Sequence, residues 1–248
     1  MSIEINHLTK RFGEKIAVND LTLHVRPGEL YAFLGPNGAG KTTTIKVIAG
    51  LLRPTSGSVR VAGHDLHSDS VDARRLISYV PDQPFLYEKL SGREFLRFVG
   101  DMYGMDRAER DARISRLAER FGTTEYLDDL AESYSHGMRQ RVVITAAILH
   151  DPKVLVVDEP MVGLDPRSAR LVKDALREMV ANDVSVFMST HTLSIAEEVA
   201  SRIGIIHRGS LVAEGTVDEL RSAEDTSARL EDIFLTITRE EPAGPPPA

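Results

Sequence analysis

The chain has 248 residues, 42% of them hydrophobic and 27% charged, which suits a soluble protein with a substantial buried core. Its net charge of −7 gives no general basis for binding nucleic acid, and we expect no nucleic-acid partner. Cysteine is absent, which excludes disulfides, thiolate metal sites and cysteine nucleophiles.

The first 25 residues predict two antiparallel strands. Hydrophobic residues alternate on both sides of a turn near residues 12–15, as expected for strands with one buried face. Phe12, beside that turn, could stack on an adenine ring or simply pack against its neighbours. The predicted inward positions are Ile3, Ile5, Val18, Leu21, Leu23 and Val25.

Residues 30–43, LYAFLGPNGAGKTT, contain a complete phosphate-binding loop. The pattern Gly-x-x-x-x-Gly-Lys-Thr stands between a predicted strand and a predicted helix, which is the setting that such a loop requires. Its glycines let successive N–H groups point into one concavity, and the helix N-terminus adds partial positive charge. We expect Lys41 to reach the β- and γ-phosphates of a nucleotide and Thr42 to coordinate Mg²⁺. The predicted nucleotide-binding residues are Gly35, Pro36, Asn37, Gly38, Ala39, Gly40, Lys41, Thr42 and Thr43.

Next comes a stretch of different character, about residues 84–150, for which we expect a mainly helical insertion. A strand is predicted at 76–80, and helical spacing then recurs near 91–103, 107–121 and 137–149. The predicted fold is therefore α/β, a P-loop NTPase core with a mainly parallel sheet, an N-terminal antiparallel β subdomain and an inserted helical subdomain. We expect one domain over residues 1–240 and a disordered tail at 241–248.

After the insertion, four aliphatic residues at 154–157 lead into Asp158 and Glu159. A continuous apolar run ending in acids is typical of a buried parallel strand whose carboxyl end lies at a ligand site. We expect Asp158 to hold Mg²⁺ opposite Thr42, directly or through water. Glu159 would accept a proton from, or orient, the water that attacks the γ-phosphate. The two acids therefore narrow nucleotide binding to nucleotide hydrolysis.

Residues 134–141, YSHGMRQR, indicate a family when they are combined with the phosphate loop and the acids that follow about twenty residues later. Together these motifs resemble the nucleotide-binding subunit of an ABC transporter, whose signature is usually written LSGGQ, and the resemblance covers residues 3–238. It implies that Ser135 and Gly137, at a helix start, contact the γ-phosphate of ATP bound on another subunit. It also implies a homodimer, or a pair with a second ATP-binding subunit, closed head to tail around two Mg·ATP.

Three single residues match other parts of the family pattern. Asp165, in Val-Gly-Leu-Asp, resembles the loop through which the two subunits communicate. His191 resembles the switch histidine, which contacts the γ-phosphate and helps to position Glu159. Phe12 occupies the place of the adenine-stacking aromatic residue. The catalytic residues implied by the resemblance are Glu159, His191 and Lys41.

Three positions depart from the family pattern. Where the family usually has a glutamine metal ligand, this chain has Asp82 followed by Gln83, and either could act there, although aspartate lacks an amide donor. His136 replaces the first glycine of the signature and could crowd the approach of the phosphate. Met138 replaces the signature glutamine and could alter contacts of the signature helix.

The biological role is predicted from what the chain lacks and from its C-terminal part. No apolar run approaches the roughly 18 residues that span a bilayer, and no signal peptide is evident. We therefore expect a cytoplasmic protein, peripheral on the membrane, whose residues 85–88 dock on an integral membrane permease subunit. Residues 230–235, LEDIFL, resemble the terminal segment of exporter cassettes, or form an ordinary amphipathic helix.

The favoured prediction is an ATPase that powers export of an unidentified substrate. A soluble ABC-type ATPase of a cofactor-assembly or other non-transport complex is the alternative. A nucleotide kinase is a third possibility, and it would require a phosphoacceptor pocket.

Overall fold

The computed structural model describes residues 2–222 and Phe234. The strands in this part of the chain are β1 Ile3–Phe12, β2 Lys15–Val25, β3 Leu30–Leu34, β4 Ser56–Val61, β5 His64–Asp65, β6 Ile77–Val80, β7 Val154–Asp158, β8 Ser185–Thr190, β9 Arg202–His207 and β10 Ser210–Gly215. The helices are α1 Lys41–Ile48, α2 Ser70–Arg75, α3 Gly92–Met102, α4 Arg107–Arg120, α5 His136–Ile148, α6 Pro166–Ala181, α7 Leu193–Val199 and α8 Val217–Ser222.

The larger sheet has the strand order β10-β9-β3-β8-β7-β6. All of its pairings are parallel except that of β10 with β9, so the predicted mainly parallel sheet is confirmed. Every residue of β3, β7 and β8 is buried, as expected for central strands with both faces covered. Alternate residues of β3 enter different cores, Leu30 on one side and Tyr31 on the other.

The smaller sheet is antiparallel, with the strand order β2-β1-β4-β5. All six predicted inward positions of β1 and β2 are buried, and they share a core with Ile45 of α1 and Phe33 of β3. The N-terminal antiparallel part of the predicted fold is thus confirmed. This arrangement also holds the β1–β2 hairpin against the segment that joins β3 to α1, because β2 packs on α1.

Helices α3, α4 and α5 lie between β6 and β7 in the chain and pack against one another. The buried residues of α4 include Ile114, Leu117 and Ala118, which lie within the predicted helical stretch 107–121 and share one face of the helix. Ser91 and Glu94 form a capping box that starts α3, and Asp106 caps α4. The predicted ends of these helices agree with the observed ends to within about two residues.

The predicted division into one domain of residues 1–240 with a helical subdomain at about 84–150 stays a prediction. Residues 241–248, and residues 230–235 apart from Phe234, lie outside the described part of the chain. Phe234 packs against the core that contains Leu30. Among the described residues, the helices are all too short or too polar to cross a bilayer.

Candidate active site

Four adjacent parallel strands end at the same edge of the larger sheet, in the order β3-β8-β7-β6. The phosphate loop follows β3, His191 follows β8, Asp158 and Glu159 end β7, and Asp82 follows β6. In the register, Asp158 pairs with Ser189 of β8. Because the carboxyl ends of neighbouring parallel strands meet at one edge, four segments far apart in sequence converge on one place.

The phosphate loop is fixed by close backbone contacts that only glycine permits. A Cβ on Gly35 would lie 2.5 Å from the carbonyl oxygen of Ile206 in β9. A Cβ on Gly40 would lie 2.5 Å from the carbonyl oxygen of Ala17 in β2, and Gly40 also has a φ of +114°. The loop is therefore held between β9 and the β1–β2 hairpin, with its backbone conformation set by glycine.

Lys41 lies under this loop with only 6% of its surface exposed. Its Nζ donates to the carbonyl oxygens of Gly35, at 2.7 Å, and Pro36, at 3.2 Å, and lies 3.9 Å from Oε1 of Glu159. Burial lowers the pKa of Lys41, and the carboxylates of Glu159 and Asp158 oppose that shift. The loop thus holds a nearly buried amine at the start of α1, and a phosphate group requires donors of this kind.

Asp158 is 1% exposed at the end of β7. Its Oδ1 accepts a hydrogen bond from Ser189 Oγ, whereas its Oδ2 is buried without a hydrogen-bond partner among the described residues. A buried carboxylate oxygen without a partner carries a large desolvation cost, which a bound cation would offset. The donor set at this position therefore fits Mg²⁺, since hard cations prefer carboxylate and hydroxyl oxygens.

Ser189 was not predicted as a site residue. Its only sequence signal is its place directly before Thr190 and His191, after the mostly apolar residues 184–188. Recognising its contact with Asp158 requires the order of the strands, because the two residues are 31 positions apart.

Glu159 and His191 form a side-chain pair beside Asp158. Oε1 of Glu159 lies 2.8 Å from Nδ1 of His191, and the Glu159 side chain is 14% exposed. The backbone of Glu159 has a positive φ of 48°, and its N–H donates to the Ser189 carbonyl at 3.2 Å. Because an ionised carboxylate only accepts, Nδ1 of His191 carries the proton in this contact. The geometry holds the Glu159 carboxylate next to Lys41 and Asp158.

A cavity of about 330 Å³ opens above these groups. It brings Phe12, which is 49% exposed, to the same space as the phosphate loop and the two acids. Lys15 and Ala17 of β2 also line it, and sequence reasoning missed both because nothing in their local pattern shows that the hairpin covers the loop. The lining residues are Phe12, Lys15, Ala17, Asn37, Gly38, Gly40, Lys41, Thr42, Thr43, Asp82, Asp158 and Glu159.

The two alternatives after β6 are placed differently. Asp82 lines the cavity, whereas Gln83 is absent from its described lining and donates its backbone N–H to Oδ1 of Asp82 at 2.9 Å. Burial raises the pKa of Tyr79 to about 12, and the negative charges of Asp158 and Asp82 add to the rise. The geometry therefore favours Asp82 over Gln83 as the oxygen ligand near Asp158.

The signature segment starts α5 away from this cavity. Ser135 caps the helix by accepting from the Met138 N–H at 3.3 Å, and neither Ser135 nor Gly137 is among the described residues that line the cavity. Gly137 instead lies beside Leu164, with 3.8 Å between the position of a Cβ and Leu164 Cδ2. His136, expected to crowd the phosphate, contacts the carbonyl of Val162.

Asp165 ends the loop that the signature contacts, and it caps α6. Its Oδ1 accepts from the N–H groups of Arg167, at 3.0 Å, and Ser168, at 3.1 Å, and its Oδ2 accepts from Ser168 Oγ at 2.6 Å. These hydrogen bonds, chiefly those from Ser168, lower the pKa of Asp165. Within the described residues of one copy, Asp165 lies outside the lining of the nucleotide cavity.

Comparison of the sequence with known protein families identifies a family that shares these motifs. The family model described as "ABC transporter" matches residues 18–162, a span that includes the phosphate loop, the signature segment and the two acids. The chain belongs to the ABC transporter family. The predicted family and the predicted α/β fold are therefore confirmed.

Two curated relatives in the ABC transporter family illustrate the similarity. The daunorubicin/doxorubicin resistance ATP-binding protein DrrA of Streptomyces peucetius is 41% identical over 222 residues, which cover 90% of this chain and 67% of DrrA. The probable multidrug ABC transporter ATP-binding protein YbhF of Escherichia coli is 36% identical over 242 residues. That match covers 96% of this chain and 42% of YbhF, so the chain spans less than half the length of this relative.

Solved structures in the ABC transporter family show the same fold. One described as the structure of an ATP binding subunit of an ABC transporter superposes with a TM-score of 0.90 at 33% sequence identity. The superposition covers 96% of this chain and 99% of that one. The similarity therefore extends over nearly the whole of both molecules.

Proposed function

We propose that this chain is the ATP-binding and ATP-hydrolysing subunit of an ABC exporter, and that it acts through a separate membrane-spanning partner. The observation that carries the proposal is the convergence of Lys41, Asp158 and Glu159 on one cavity above the phosphate loop, with His191 in contact with the Glu159 carboxylate. The names of the relatives, which refer to drug resistance and multidrug transport, support the direction of transport.

The chemically active residues in and beside the cavity have distinct tasks in this function. Lys41 exchanges its loop carbonyls for the β- and γ-phosphate oxygens, and Phe12 stacks on the adenine ring. Thr42, Asp158 and Asp82 supply oxygen ligands for Mg²⁺, which when bound neutralises charge on the phosphates. Glu159 accepts a proton from the attacking water, and His191 holds its carboxylate in place.

The signature residues of one copy do not line the nucleotide cavity of that copy, as far as the structure describes the chain. Ser135 and Gly137 lie outside the lining of the cavity in the described part of the chain, at the exposed start of α5. A hydroxyl and N–H groups at a helix start suit an anion. We infer that they contact the phosphate held by a second copy, or by a paired ATP-binding subunit, with Asp165 in the loop between the two sites.

The Glu159→Gln variant tests the assignment of the base. It keeps the size of the side chain but removes the carboxylate, so we expect ATP binding to persist while phosphate release falls by about a hundredfold or more. Release of inorganic phosphate and binding of a fluorescent ATP analogue measure the two steps. The matched change Glu119→Gln, at an exposed position of α4, should leave both unchanged. Phosphate release by Glu159→Gln at the normal rate would refute the assignment.

A membrane partner is supported by an exposed apolar surface, here called the aromatic patch, formed by Phe85, Tyr87, Phe98 and Met102. Phe85 is 67% exposed and Met102 70%. Tyr87 connects the patch, with its ring centroid 5.5 Å from that of Phe85 and 5.9 Å from that of Phe98. Contiguous exposed apolar side chains mark interaction sites, and this patch includes Phe85 and Tyr87 of the predicted docking segment 85–88. We infer that cytoplasmic helices of the partner pack here.

Membrane co-sedimentation tests the aromatic patch. The chain is expressed with the membrane proteins encoded beside it, and membranes are then pelleted. The double variant Phe85→Glu, Met102→Glu should pellet much less than the wild type, while its ATP binding should be unchanged because neither residue lines the nucleotide cavity. Leu51→Glu, at a position 58% exposed elsewhere on the surface, is the control and should pellet normally. A wild-type chain that remains in the supernatant would instead favour the soluble assembly ATPase.

A further inference from the structure

His136 is the first residue of α5, between the capping Ser135 and Gly137. Its Nε2 lies 3.2 Å from the carbonyl oxygen of Val162, in the loop that follows Glu159. Its ring also lies over Gly163, where a Cβ would approach Cδ2 and Nε2 of the imidazole to 3.1 Å. One side chain thus bridges the start of the signature helix and this loop.

The chemistry of the contact fixes the state of the ring. A carbonyl oxygen can only accept, so Nε2 of His136 is the donor and carries a proton. Gly163 has a φ of +74°, which favours glycine independently of the ring above it. The loop is itself a turn that starts at Glu159, since the Val162 N–H donates to the Glu159 carbonyl at 3.2 Å. A shift of the Val162 carbonyl would therefore be transmitted to the backbone of Glu159.

A second contact on the same face of α5 reinforces this bridge. Gln140, four residues after His136 and 2% exposed, donates from Nε2 to the carbonyl oxygen of Pro160 at 3.3 Å. Residues four apart lie on one face of a helix, so both side chains face the same segment. The segment 160–163, directly after Glu159, is thus fastened to α5 at two carbonyl groups.

We propose that His136 is a positioning residue that couples the two ATP sites of the dimer. This inference rests on the proposed function. In that function Glu159 serves the nucleotide of its own copy, whereas Ser135 serves the nucleotide of the other copy. A rigid link between α5 and the loop after Glu159 joins the two tasks within one chain. Glycine, which the family usually has at this position, has no side chain with which to make the contact to Val162.

Three substitutions of His136 distinguish the effect of its N–H donor from the effect of its side-chain volume. His136→Gln places an N–H donor the same number of bonds from Cβ as Nε2, and His136→Asn places it one bond short. His136→Leu keeps apolar volume without a donor. We expect kcat to fall roughly threefold to tenfold in the Leu and Asn variants, as for loss of one hydrogen bond, while the apparent KM for ATP changes less. Their Hill coefficient for ATP should fall towards one, and Gln should restore both quantities.

A measurement that does not depend on hydrolysis accompanies the kinetics. Nitrogen NMR of the wild-type chain, assigned by comparison with His136→Gln, should show His136 protonated at Nε2. Because His136 is exposed, all three variants should keep the wild-type thermal midpoint.

Several results would overturn the coupling role. These are a wild-type Hill coefficient of one, an unchanged kcat and Hill coefficient in His136→Leu, a failure of Gln to restore them, or a neutral ring protonated only at Nδ1. A wild-type chain without ATP hydrolysis would overturn the proposed function together with this inference. Cooperative hydrolysis that is insensitive to His136→Leu would overturn the inference alone.

Discussion

Asp158 is a buried acidic residue of the site with only one of its two oxygens hydrogen-bonded among the described residues. It is 1% exposed, one of its oxygens is bound by Ser189, and the other has no partner among the described residues. Ser189 therefore sets which way the free oxygen points. Proteins usually orient metal-binding carboxylates through a neighbouring hydrogen bond. Loss of that hydrogen bond lowers the affinity for the metal more than it lowers the stability of the fold.

The Ser189→Ala variant tests this orientation. Removing the hydroxyl leaves both oxygens of Asp158 without a fixed partner, so we expect the Mg²⁺ concentration for half-maximal ATPase activity to rise by roughly 10-fold or more. The matched control is Ser185→Ala, at the other end of the same buried strand, where the hydroxyl contacts Ser2 and Arg26. An unchanged magnesium requirement in Ser189→Ala would show that Ser189 does not orient the ligand.

Sequence patterns identify residues whose chemistry depends on their immediate neighbours. Lys41 and Asp158 each stand in a local motif, and the structure places both at one cavity. Lys15, Ala17 and Ser189 have no such motif, because they reach the site only through the packing of the hairpin and the order of the strands. The choice between Asp82 and Gln83 likewise depends on the direction of the chain after β6, which the order of the residues alone does not give.

At the scale of elements, ion pairs join the first two helices of the helical part. Arg97 of α3 contacts both carboxylate oxygens of Asp111 of α4, at 3.2 and 2.9 Å. Arg110, whose side chain is 6% exposed, also donates to Asp111 and pairs with Asp101. Hydrogen bonds from Arg97, and then from Arg110, lower the pKa of Asp111, and desolvation opposes them. The carboxylate therefore stabilises the α3–α4 contact in its ionised form.

The pH dependence of stability follows from this shift. A carboxyl group whose pKa is lower in the folded state contributes stability above its unfolded pKa, near 3.9, and loses it as the pH falls through the folded value. We expect Asp111→Asn to lower the free energy of unfolding by about 1 kcal/mol at pH 7. The difference from wild type should shrink below about pH 4.

Urea unfolding at a series of pH values measures this effect. Asp72→Asn is the control, since the exposed Asp72 lies 4.0 Å from Arg75 and should contribute little at any pH. A difference between Asp111→Asn and wild type that is the same at pH 7 and pH 3 would contradict the ion-pair explanation.

The elements that the sequence predicted well are those with a clear period. β3, β7 and the helices α3 to α5 have either a continuous apolar run or a regular apolar face. β5, with two residues, and α2, with six, are too short for a period to emerge. Strand order could not be predicted at all, because parallel strands are joined by crossovers that leave no local signal.

At the scale of the whole molecule, one copy contains only part of the proposed hydrolytic site. Its cavity has the phosphate loop, the metal-binding acid and the base, whereas its signature residues lie beside the loop 162–164. The proposed function therefore requires a second copy, or a paired ATP-binding subunit, so that each member completes the site of the other, and closure of the pair would transmit force to the membrane partner. Ser135 is the residue that would contact the phosphate bound on the other member of the pair.

Ser135 allows a substitution that changes charge without removing the helix cap. Aspartate and asparagine both cap helices about as well as serine, but aspartate places a negative charge where a phosphate should bind. The measurement is sedimentation velocity with Mg·ATP, in the Glu159→Gln background that prevents turnover. We predict that Glu159→Gln alone, and with Ser135→Asn, shifts from monomer to dimer when Mg·ATP is added. With Ser135→Asp added to Glu159→Gln, the chain should remain a monomer that still binds ATP. If the Ser135→Asp variant dimerises as readily as the Ser135→Asn variant, the shared site is contradicted.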